Sequence, residues 1–421
     1  MKISVVGTGY VGLTTAVGFA SKGHDVMSLD IDEKKIESLR AGDCPIYEPG
    51  LSELLREVRR TGKFKVDSDF GCLAGSDLIF ICVGTPSRED GSIDLGQIRQ
   101  ASEDIARNLS GEYPIIVVKS TVVPGTTESV VIPTVEKISG REAGRGFGVC
   151  VNPEFLREGK ALEDFFHPDR VVIGELTSRE GNVLEELYRD FNCPILRTNL
   201  RTAEMIKYAS NAFLAARISL INEIGNLCKL LGIDTREVAR GIGLDKRIGP
   251  HFLSSGIGFG GSCFPKDVKA LIARGKEMGY EMKILRAVLE VNEDQPLRLL
   301  PLLEKHLGTL AGRTIGVLAL AFKPDTDDVR EAPSLKVVSR LLEKGARVRA
   351  YDPKAMENFR KYFPNIEYCD GAEKVLDSDA ILILTEWEEF EKLDYSGKIV
   401  IDGRGVEAAR RTARIYEGVC W

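Results

Sequence analysis

The chain has 421 residues, and its 57 lysines and arginines against 63 aspartates and glutamates give a formal net charge of −6. The length allows about two to four domains, and a composition of 43% hydrophobic and 29% charged residues argues against a disordered chain. The mild acidity removes the attraction to nucleic acid or an anionic membrane, so we expect neither partner. No apolar run approaches the ~20 residues of a membrane helix, and the N-terminal stretch is not typical of a signal peptide, which favours a cytoplasmic protein.

The nine cysteines are scattered, and no two are as close as the C-x-x-C spacing. With only four histidines in the chain, this distribution gives little support for a disulfide framework or a structural zinc site, so we expect no metal. Most of the cysteines lie among apolar residues and are interpreted as reduced core thiols. Cys263 differs because it follows a glycine-rich segment.

The N-terminal half is predicted to form a parallel, doubly wound sheet. A strand at 2–6, a helix at 13–22 and a strand at 24–29 come first. Further strands are predicted at 78–83, 115–119, 148–151 and 170–173. Strands that alternate with helices are typical of the α/β class.

Gly7-Thr8-Gly9-Tyr10-Val11-Gly12 lies between the first strand and its helix, and Asp30 follows 18 residues after Gly12. In this context the pattern indicates a dinucleotide-binding turn. Gly7 permits the tight turn, Gly9 lets the backbone approach a pyrophosphate, and Gly12 allows close packing of the helix. The helix N-terminus supplies amide donors. Asp30 would accept hydrogen bonds from the ribose and repel a 2′-phosphate, which favours NAD over NADP.

Residues 201–231 contain no proline and one glycine, and their apolar residues recur at helical spacing. Such a long helix predicts a spine between domains or a dimer interface. A second βαβ pattern has strands predicted at 314–320, 347–352, 380–384 and 398–401 and a helix at 333–344. We therefore predict an α/β chain with two Rossmann-like doubly wound domains, 1–198 and 301–421, joined by the long helix and a helical middle domain, 199–300.

The second βαβ pattern lacks the glycines of the first. Alignment of Val317-Leu318-Ala319 with Val5-Val6-Gly7 places Ala319 and Ala321 where Gly7 and Gly9 stand, so no dinucleotide is expected there. The crevice beyond the strand ends binds ligands in open α/β sheets. Three basic residues that suit the diphosphate of a nucleotide sugar are predicted at or after these ends: Lys323, Arg330 and Arg404. Solvated surface charges are the alternative.

Residues 256–267, Gly-Ile-Gly-Phe-Gly-Gly-Ser-Cys-Phe-Pro-Lys-Asp, are interpreted as a flexible loop that delivers Cys263 to a helix predicted from about Asp267 to Met278. A thiol at a helix N-terminus beside Lys266 is expected to have a pKa below its usual value of about 8.5 and to be a better nucleophile. Asp267 is expected to cap this helix, which does not exclude a second role.

These two glycine-rich motifs resemble the UDP-glucose/GDP-mannose dehydrogenase family, and the resemblance covers essentially the whole chain. Further matching segments are Val83-Gly84-Thr85-Pro86, Ser120-Thr121, residues 152–159 (Asn-Pro-Glu-Phe-Leu-Arg-Glu-Gly), Lys207 with Asn211, Ala321-Phe322-Lys323 and Asp402-Gly403-Arg404. Ala319 departs from the glycine of many members, which is interpreted as tolerated because the position need not face a pyrophosphate.

The resemblance implies a four-electron oxidation of the C6 alcohol of a nucleotide sugar to a carboxylate, with two NAD⁺ consumed. Cys263 would add to the intermediate aldehyde, and the thiohemiacetal would become a thioester that water hydrolyses. Lys207 is implied to stabilise the oxyanion with Asn211, which lies four residues later on the same helix face. Asp267 would orient or deprotonate the water, and Glu154 would act in acid–base or water-relay chemistry. The assignment among Thr121, Glu154 and Asp267 stays open.

The resemblance also implies binding residues. Those for NAD are Gly7, Gly9, Tyr10, Val11, Gly12, Asp30, Lys35, Thr85, Thr121, Glu158, Lys266 and Arg330. Those for the nucleotide sugar are Glu154, Phe155, Leu156, Arg157, Lys207, Asn211, Phe252, Leu253, Ser254, Ser255, Gly256, Gly260, Lys323 and Arg404. Arg247 would reach the substrate of a neighbouring subunit, and with the long helix as the interface this predicts a homodimer.

The exact sugar stays open, because nothing in the sequence distinguishes a uracil from a guanine pocket. Overall similarity favours UDP-glucose over GDP-mannose or another UDP-hexose. Ser262 argues against oxidases of UDP-N-acetylhexosamines, which usually have histidine before the cysteine. A binding or sensor protein without chemistry is a further alternative, but the complete set of Cys263, Asp267, Lys207 and Glu154 argues against it.

Overall fold

The computed structural model describes residues 1–421 and contains two sheets, one in each of two units, residues 1–210 and 211–421. The strands of the first unit are β1 Lys2–Val6, β2 Asp25–Leu29, β3 Phe64–Asp67, β4 Leu78–Ile81, β5 Ile115–Val118, β6 Gly148–Val151, β7 Val171–Glu175 and β8 Ile195–Asn199. Their order in the sheet is β3-β2-β1-β4-β5-β6-β7-β8. The reversal of strand order at β1 and β4 is the topological switch point of a doubly wound sheet, which confirms the predicted class.

Helices cover both faces of this sheet. They are α1 Tyr10–Ser21, α2 Glu33–Ala41, α3 Leu51–Arg60, α4 Gly96–Asn108, α5 Ile132–Ser139, α6 Ala161–Phe166 and α7 Ser178–Leu187. Alternate strand residues enter two separate hydrophobic cores: Val5 and Phe80 lie in one, and Val6 and Ile79 in the other. Central strands that are apolar on both sides are typical of parallel sheets covered by helices on both faces.

One strand pair departs from the predicted parallel arrangement. β6 and β7 are antiparallel, with Cys150 opposite Glu175 and Val151 opposite Gly174. Their connection contains only the six-residue helix α6, whereas parallel strands are usually joined by a longer crossover helix that returns the chain along the sheet. The edge strands β3 and β8 were not predicted, because both are short and carry polar residues.

The predicted long helix is confirmed as α8, Leu200–Leu231, which has 32 residues and begins in the first unit. Three large apolar side chains spaced seven residues apart are exposed on it: Phe213 by 68%, Leu220 by 58% and Leu227 by 57%. Despite the length of α8, the chain contains no helix with the apolar length that a membrane crossing requires.

The second unit contains a parallel sheet in the order β11-β10-β9-β12-β13-β14. Its strands are β9 Thr314–Leu318, β10 Arg347–Tyr351, β11 Glu367–Tyr368, β12 Ala380–Ile383, β13 Ile399–Asp402 and β14 Ile415–Gly418. Its remaining helices are α9 Thr235–Gly243, α10 Phe264–Glu277, α11 Lys283–Asp294, α12 Leu299–Leu307, α13 Pro333–Glu343, α14 Met356–Arg360, α15 Ala372–Val375 and α16 Glu407–Thr412. This confirms the second Rossmann-like sheet and the helical segment before it.

The turn after β9 repeats the turn after β1. Ala319 has φ +71° and donates its N–H to Tyr351 O at 2.8 Å, as Gly7 with φ +100° donates to Leu29 O at 2.7 Å. A left-handed conformation is unusual for alanine, so the backbone geometry is retained although the glycine is absent. The structure therefore confirms the alignment of Ala319 with Gly7 that was made from the sequence.

Candidate active site

The glycine-rich turn after β1 leaves open space beside one glycine only. A Cβ atom on Gly7 would lie 2.7 Å from Cys82 O, and one on Gly12 would collide with Gly7 O. A Cβ on Gly9 would have no atom within 4 Å. Gly9 precedes the first residue of α1, and no side chain caps this helix start. The turn therefore fits a dinucleotide, since space and unsatisfied N–H groups coincide where a pyrophosphate would approach.

Asp30 directly follows β2 and supports the turn after β1. Its Oδ2 accepts from Thr8 N at 2.7 Å and Thr8 Oγ1 at 2.6 Å, and its Oδ1 accepts from Asp32 N at 3.0 Å. Burial opposes ionisation, but these hydrogen bonds hold the pKa of Asp30 below its ordinary value. Lys35 lies 3.9 Å from Asp30 Oδ2. Thr8 thus positions the Asp30 carboxylate. The sequence analysis predicted Asp30 but did not identify this role of Thr8.

Glu154 and Lys207 form a buried ion pair. Lys207 Nζ on α8 lies 2.9 Å from Glu154 Oε1 in the loop after β6, and Glu154 Oε2 accepts from Leu156 N at 2.5 Å. Burial raises the pKa of the Glu154 carboxyl group, but Lys207 and the Leu156 amide outweigh burial and hold that pKa below its ordinary value. The structure thus brings together two residues that lie 53 positions apart in the sequence.

Two other predicted residues follow neighbouring strands of the same sheet. Thr85 comes after β4 and Thr121 after β5, and the Thr85 hydroxyl group donates to Thr121 O at 2.9 Å. Ligands bind beyond the carboxyl ends of the strands in doubly wound sheets. The positions of both threonines agree with that rule.

The loop after β6 is held by a residue that the sequence analysis missed. The buried Glu48 carboxylate accepts from Gly159 N at 2.8 Å and Ala161 N at 2.7 Å, and Tyr10 Oη accepts from Gly159 N at 2.6 Å. These contacts link the dinucleotide turn to the loop that carries Glu154. No local pattern marks Glu48, because its partners lie more than 110 residues later.

Four further predicted residues lie on or beside this loop. Phe155 packs beneath Arg170, whose guanidinium carbon lies 3.7 Å from the ring centroid, and Lys207 Nζ lies 5.5 Å from the same centroid. Arg157 is exposed and forms an ion pair with Asp164 at 2.5 Å. Leu156 and Glu158 are half-buried.

Cys263 lies immediately before α10, as predicted. Its Sγ is 3.5 Å from Ser262 Oγ, and the residue is half-buried. The helix begins at Phe264 rather than near Asp267, so the prediction that Asp267 caps it is wrong. Pro265 accounts for the earlier start, because its fixed φ favours the first turn of a helix and its missing N–H is not needed there.

Asp267 has a different role from capping. Its Oδ2 accepts from Asn211 Nδ2 at 2.6 Å and its Oδ1 accepts from Lys266 Nζ at 2.6 Å. Asp267 is only 2% exposed. Asn211 follows Lys207 by one helical turn on α8, and Cys263, just before α10, precedes Asp267 by one turn. The second unit therefore contains a fixed carboxylate one turn after a half-buried thiol.

The segment before Cys263 is buried and closely packed, which corrects its interpretation as a flexible loop. A Cβ on Gly260 would collide with Glu331 O, and one on Gly256 would lie 2.7 Å from Gly403 O. Asn222 Oδ1 accepts from Gly256 N at 2.7 Å. The glycines are required by the close approach of other backbone segments.

The basic residues predicted for the nucleotide sugar have different surroundings. Arg404 Nε donates to Leu384 O at 2.9 Å, while Arg330 makes two 2.8 Å hydrogen bonds with Asp328. Lys323 Nζ lies 5.5 Å from the centroid of the adjacent Phe322 ring.

The remaining predicted residues lie between α9 and α10. Phe252 has φ +60°, a rare conformation that recurs at ligand sites. Leu253, Ser255 and Gly256 are buried, and Ser254 is exposed. Arg247 extends into solvent and pairs with Asp245 at 2.6 Å, so this chain alone does not bring it to the other candidate residues.

Comparison with known proteins identifies the same family as the sequence motifs. Models of three domains of the UDP-glucose/GDP-mannose dehydrogenase family match: the NAD binding domain at residues 1–192, the central domain at 201–294 and the UDP binding domain at 316–408. The first match confirms NAD as the cofactor.

Individual proteins match over the full length. The UDP-glucose 6-dehydrogenase AglM of Haloferax volcanii is 45% identical over 432 residues, and the GDP-mannose 6-dehydrogenase of Pseudomonas aeruginosa is 39% identical over 442 residues, each alignment covering 100% of both proteins. The structure of a UDP-glucose dehydrogenase from Pyrobaculum islandicum superposes with a TM-score of 0.96 at 48% identity, covering 100% of this chain and 98% of that chain. The chain therefore belongs to the UDP-glucose/GDP-mannose dehydrogenase family and is an NAD-dependent dehydrogenase.

Proposed function

We propose that this chain oxidises the C6 alcohol of UDP-glucose to the carboxylate of UDP-glucuronate, with two NAD⁺ reduced for each sugar. The observation that carries the proposal is Cys263 directly before α10 with Asp267 one turn later, its carboxylate held by Asn211 and Lys266. A nucleophile and an oriented carboxylate one helical turn apart suit a reaction in which an acyl group is held covalently and then hydrolysed.

Cys263 is proposed to act once the first oxidation has produced an aldehyde. Its thiolate adds to the carbonyl carbon, and the carbonyl oxygen takes up a proton to give a thiohemiacetal. Loss of a hydride from that carbon and of a proton from its hydroxyl group gives a thioester, from which water displaces the thiolate. NAD, when bound, supplies the acceptor for each hydride.

The other residues are proposed to control charge and protons. Lys207 and Asn211 would donate hydrogen bonds to the sugar oxygen while it carries negative charge. Glu154, held as a carboxylate by Lys207, would accept or relay a proton. Asp267 would orient or deprotonate the hydrolytic water, with Thr121 as a second group to hold it. Single variants distinguish these roles, because only loss of the residue that activates water should let the thioester accumulate.

The binding sites remain as predicted from the family. We propose that NAD contacts Gly7, Gly9, Tyr10, Val11, Gly12, Asp30, Lys35, Thr85, Thr121, Glu158, Lys266 and Arg330. We propose that the sugar nucleotide contacts residues 154–157, Lys207, Asn211, residues 252–256, Gly260, Lys323 and Arg404, with Arg247 contributed by a second subunit. The division into domains 1–198, 199–300 and 301–421 and a cytoplasmic location also stay predictions.

We favour UDP-glucose over GDP-mannose as the substrate because of sequence similarity over the whole chain. Identity to a protein named UDP-glucose 6-dehydrogenase is 45%, against 39% to one named GDP-mannose 6-dehydrogenase. An NADH-release assay with UDP-glucose, GDP-mannose, UDP-galactose and UDP-N-acetylglucosamine tests the choice. We expect the highest kcat/KM with UDP-glucose and two NADH per sugar. A higher value with GDP-mannose, or one NADH per sugar, would contradict the proposal.

We also propose a homodimer through α8. Phe213, Leu220 and Leu227 recur every seven residues and are each more than half exposed, a pattern typical of a helix that packs against another helix. Light scattering during size exclusion should give twice the chain mass for the parent protein and the single-chain mass for Leu220→Glu. A parent protein that elutes as a monomer at micromolar concentration would contradict this interface.

A further inference from the structure

Lys119 is a buried lysine that the reaction proposed above does not use. It directly follows β5 and is 6% exposed. Its Nζ donates to Asn152 Oδ1 at 3.0 Å and lies 3.4 Å from the backbone oxygen of Asn152. Both acceptors are neutral, whereas buried ammonium groups are normally paired with a carboxylate. Burial of the Lys119 ammonium group therefore costs free energy, and this cost points to a functional role.

Asn152 is held in a single orientation. Its Nδ2 donates to Val172 O at 2.9 Å, so its Oδ1 is the atom that accepts from Lys119 and, at 2.6 Å, from the Tyr188 hydroxyl group. Asn152 also starts the loop that carries Glu154 two residues later. Lys119 is thus connected through one fixed amide group to the backbone of Glu154.

The ionisable groups around Lys119 come from several neighbouring elements. Glu154 in the loop after β6 and Lys207 on α8 are 7% and 4% exposed, and the Cys82 thiol follows β4. Burial raises the pKa of Cys82 to about 12 and that of Tyr188 above its usual range, so both groups are neutral near pH 7. Glu154 and Lys207 neutralise each other, and Lys119 gives this group of three a net positive charge.

We propose that Lys119 is a positioning residue that acts through Asn152 and Glu154, so that the charge of Lys207 is not cancelled when a sugar oxygen becomes negative. The proposal rests on the function proposed above. A neutral ion pair stabilises a nearby oxyanion weakly, because the carboxylate repels what the ammonium group attracts. A second fixed cation near the carboxylate offsets that repulsion, and the effect is largest in a site that excludes water.

The proposal predicts a pH dependence. Burial lowers the pKa of Lys119 to about 8, with repulsion by Lys207 acting in the same direction and attraction by Glu154 opposing it. Lys119 should therefore lose its proton as the pH rises through about 8, which leaves the group of three neutral and slows turnover.

Lys119→Met removes the charge and nearly preserves the shape. We expect kcat on UDP-glucose at about pH 7 to fall by about 10- to 100-fold, while KM for the sugar and for NAD changes less than about threefold, because the interaction acts in the transition state. The fall in parental kcat above about pH 8 should be absent from the variant. Lys22→Met, at an exposed lysine in the same unit, is the control with an unchanged profile. A Lys119→Met profile that superimposes on the parental one would overturn the proposal.

Lys119→Arg serves if the methionine variant does not fold. It retains the charge above pH 8, so the alkaline fall in kcat should move to higher pH. An alkaline fall in this variant at the parental pH would overturn the proposal.

Thermal unfolding tests the titration of Lys119 without turnover. Because the folded pKa is lowered, the unfolded state binds the proton more tightly, so the cost of burying Lys119 is full below pH 8 and declines above it. The melting temperature of Lys119→Met should exceed the parental value at about pH 7, and the difference should shrink by about pH 9.5. A difference independent of pH would contradict the proposal.

A parent protein without turnover on any nucleotide sugar would contradict the proposed function instead. The melting temperatures would still show whether Lys119 titrates near pH 8.

Discussion

Lys207 Nζ lies 2.9 Å from Glu154 Oε1, and neither side chain is more than 6% exposed. The pair joins α8 to the loop after β6, and the second oxygen of Glu154 is occupied by the Leu156 amide. Each charge is therefore compensated inside the first unit. Removal of either partner would deprive the other of this opposite charge in the interior.

Glu154→Gln should destabilise the protein by about 3–5 kcal/mol, because Lys207 would remain buried without the Glu154 carboxylate 2.9 Å away. Denaturant unfolding at about pH 7 measures this change in the free energy of unfolding. Asp25→Asn is the matched control, since Asp25 forms an ion pair with Lys63 at 2.9 Å on the exposed surface and should have little effect. Equal, small effects of the two substitutions would show that the Glu154 pair does not stabilise the fold.

The stability difference between the parent and Glu154→Gln should depend on pH. The folded pKa of Glu154 is below its ordinary value, so the carboxylate stabilises the folded state above the unfolded pKa of about 4.3. That contribution is lost as the pH falls through the folded pKa. Unfolding measured from about pH 7 down to about pH 3 should show the two proteins converging in acid. A constant difference over this range would contradict the assigned ionisation.

Gly9→Ala should affect NAD binding, whereas Gly12→Ala should affect the stability of the fold. A Cβ on Gly9 meets no protein atom, so the free energy of unfolding should change by less than about 1 kcal/mol while KM for NAD rises. A Cβ on Gly12 collides with Gly7 O, so this variant should lose about 1–3 kcal/mol of stability. Unfolding and NAD titration of both variants test the expectation. Unchanged NAD affinity in Gly9→Ala would show that the open space beside Gly9 does not receive the cofactor.

Gly260→Ala tests whether close packing before Cys263 matters. The added methyl group would collide with Glu331 O, so we expect a loss of about 1–3 kcal/mol and reduced turnover as Cys263 is displaced. Gly241→Ala in α9 is the matched control, because its Cβ meets no atom and alanine favours helices by up to about 1 kcal/mol. Full stability and turnover in Gly260→Ala would restore the interpretation of a flexible loop.

The sequence predicted the elements whose patterns are local. The strands of the central sheet are short apolar runs, the turn after β1 has its glycine pattern, and α8 has an unbroken helical period. It did not predict that β6 and β7 are antiparallel, because this depends on the direction in which their connection returns the chain. It also did not predict the edge strand β3, because this short strand forms only by pairing with a sheet that already exists.

The candidate site was predictable residue by residue but not as a network. Cys263 could be named from its motif, whereas Glu48 is defined by partners more than 110 residues away. Asp267 was expected as a cap because the sequence does not reveal that Asn211 approaches it. One sequence feature could have indicated Lys119 as a candidate. It directly follows a buried apolar strand, and charged residues in this position commonly lie at the ligand-binding edge of a sheet.

Cys263→Ser should lower steady NADH formation from UDP-glucose by about 1,000-fold or more, because a serine hydroxyl group is a far weaker nucleophile toward the aldehyde at neutral pH. Cys72→Ser, at another half-buried thiol in the chain, should turn over at the parental rate. The measurement is NADH absorbance under saturating sugar and NAD. Parental turnover in Cys263→Ser would remove the thiohemiacetal from the mechanism.

The most direct test of the central claim is the intact mass of Asp267→Asn after mixing with UDP-glucose and NAD and quenching in acid. If Asp267 activates the hydrolytic water, the variant should accumulate a covalent adduct with the mass of one UDP-glucuronyl group, located by peptide mapping to Cys263. The double variant with Cys263→Ala should show no added mass. An Asp267→Asn protein that releases two NADH per sugar with no adduct at any time, or an adduct on a different residue, would contradict the account.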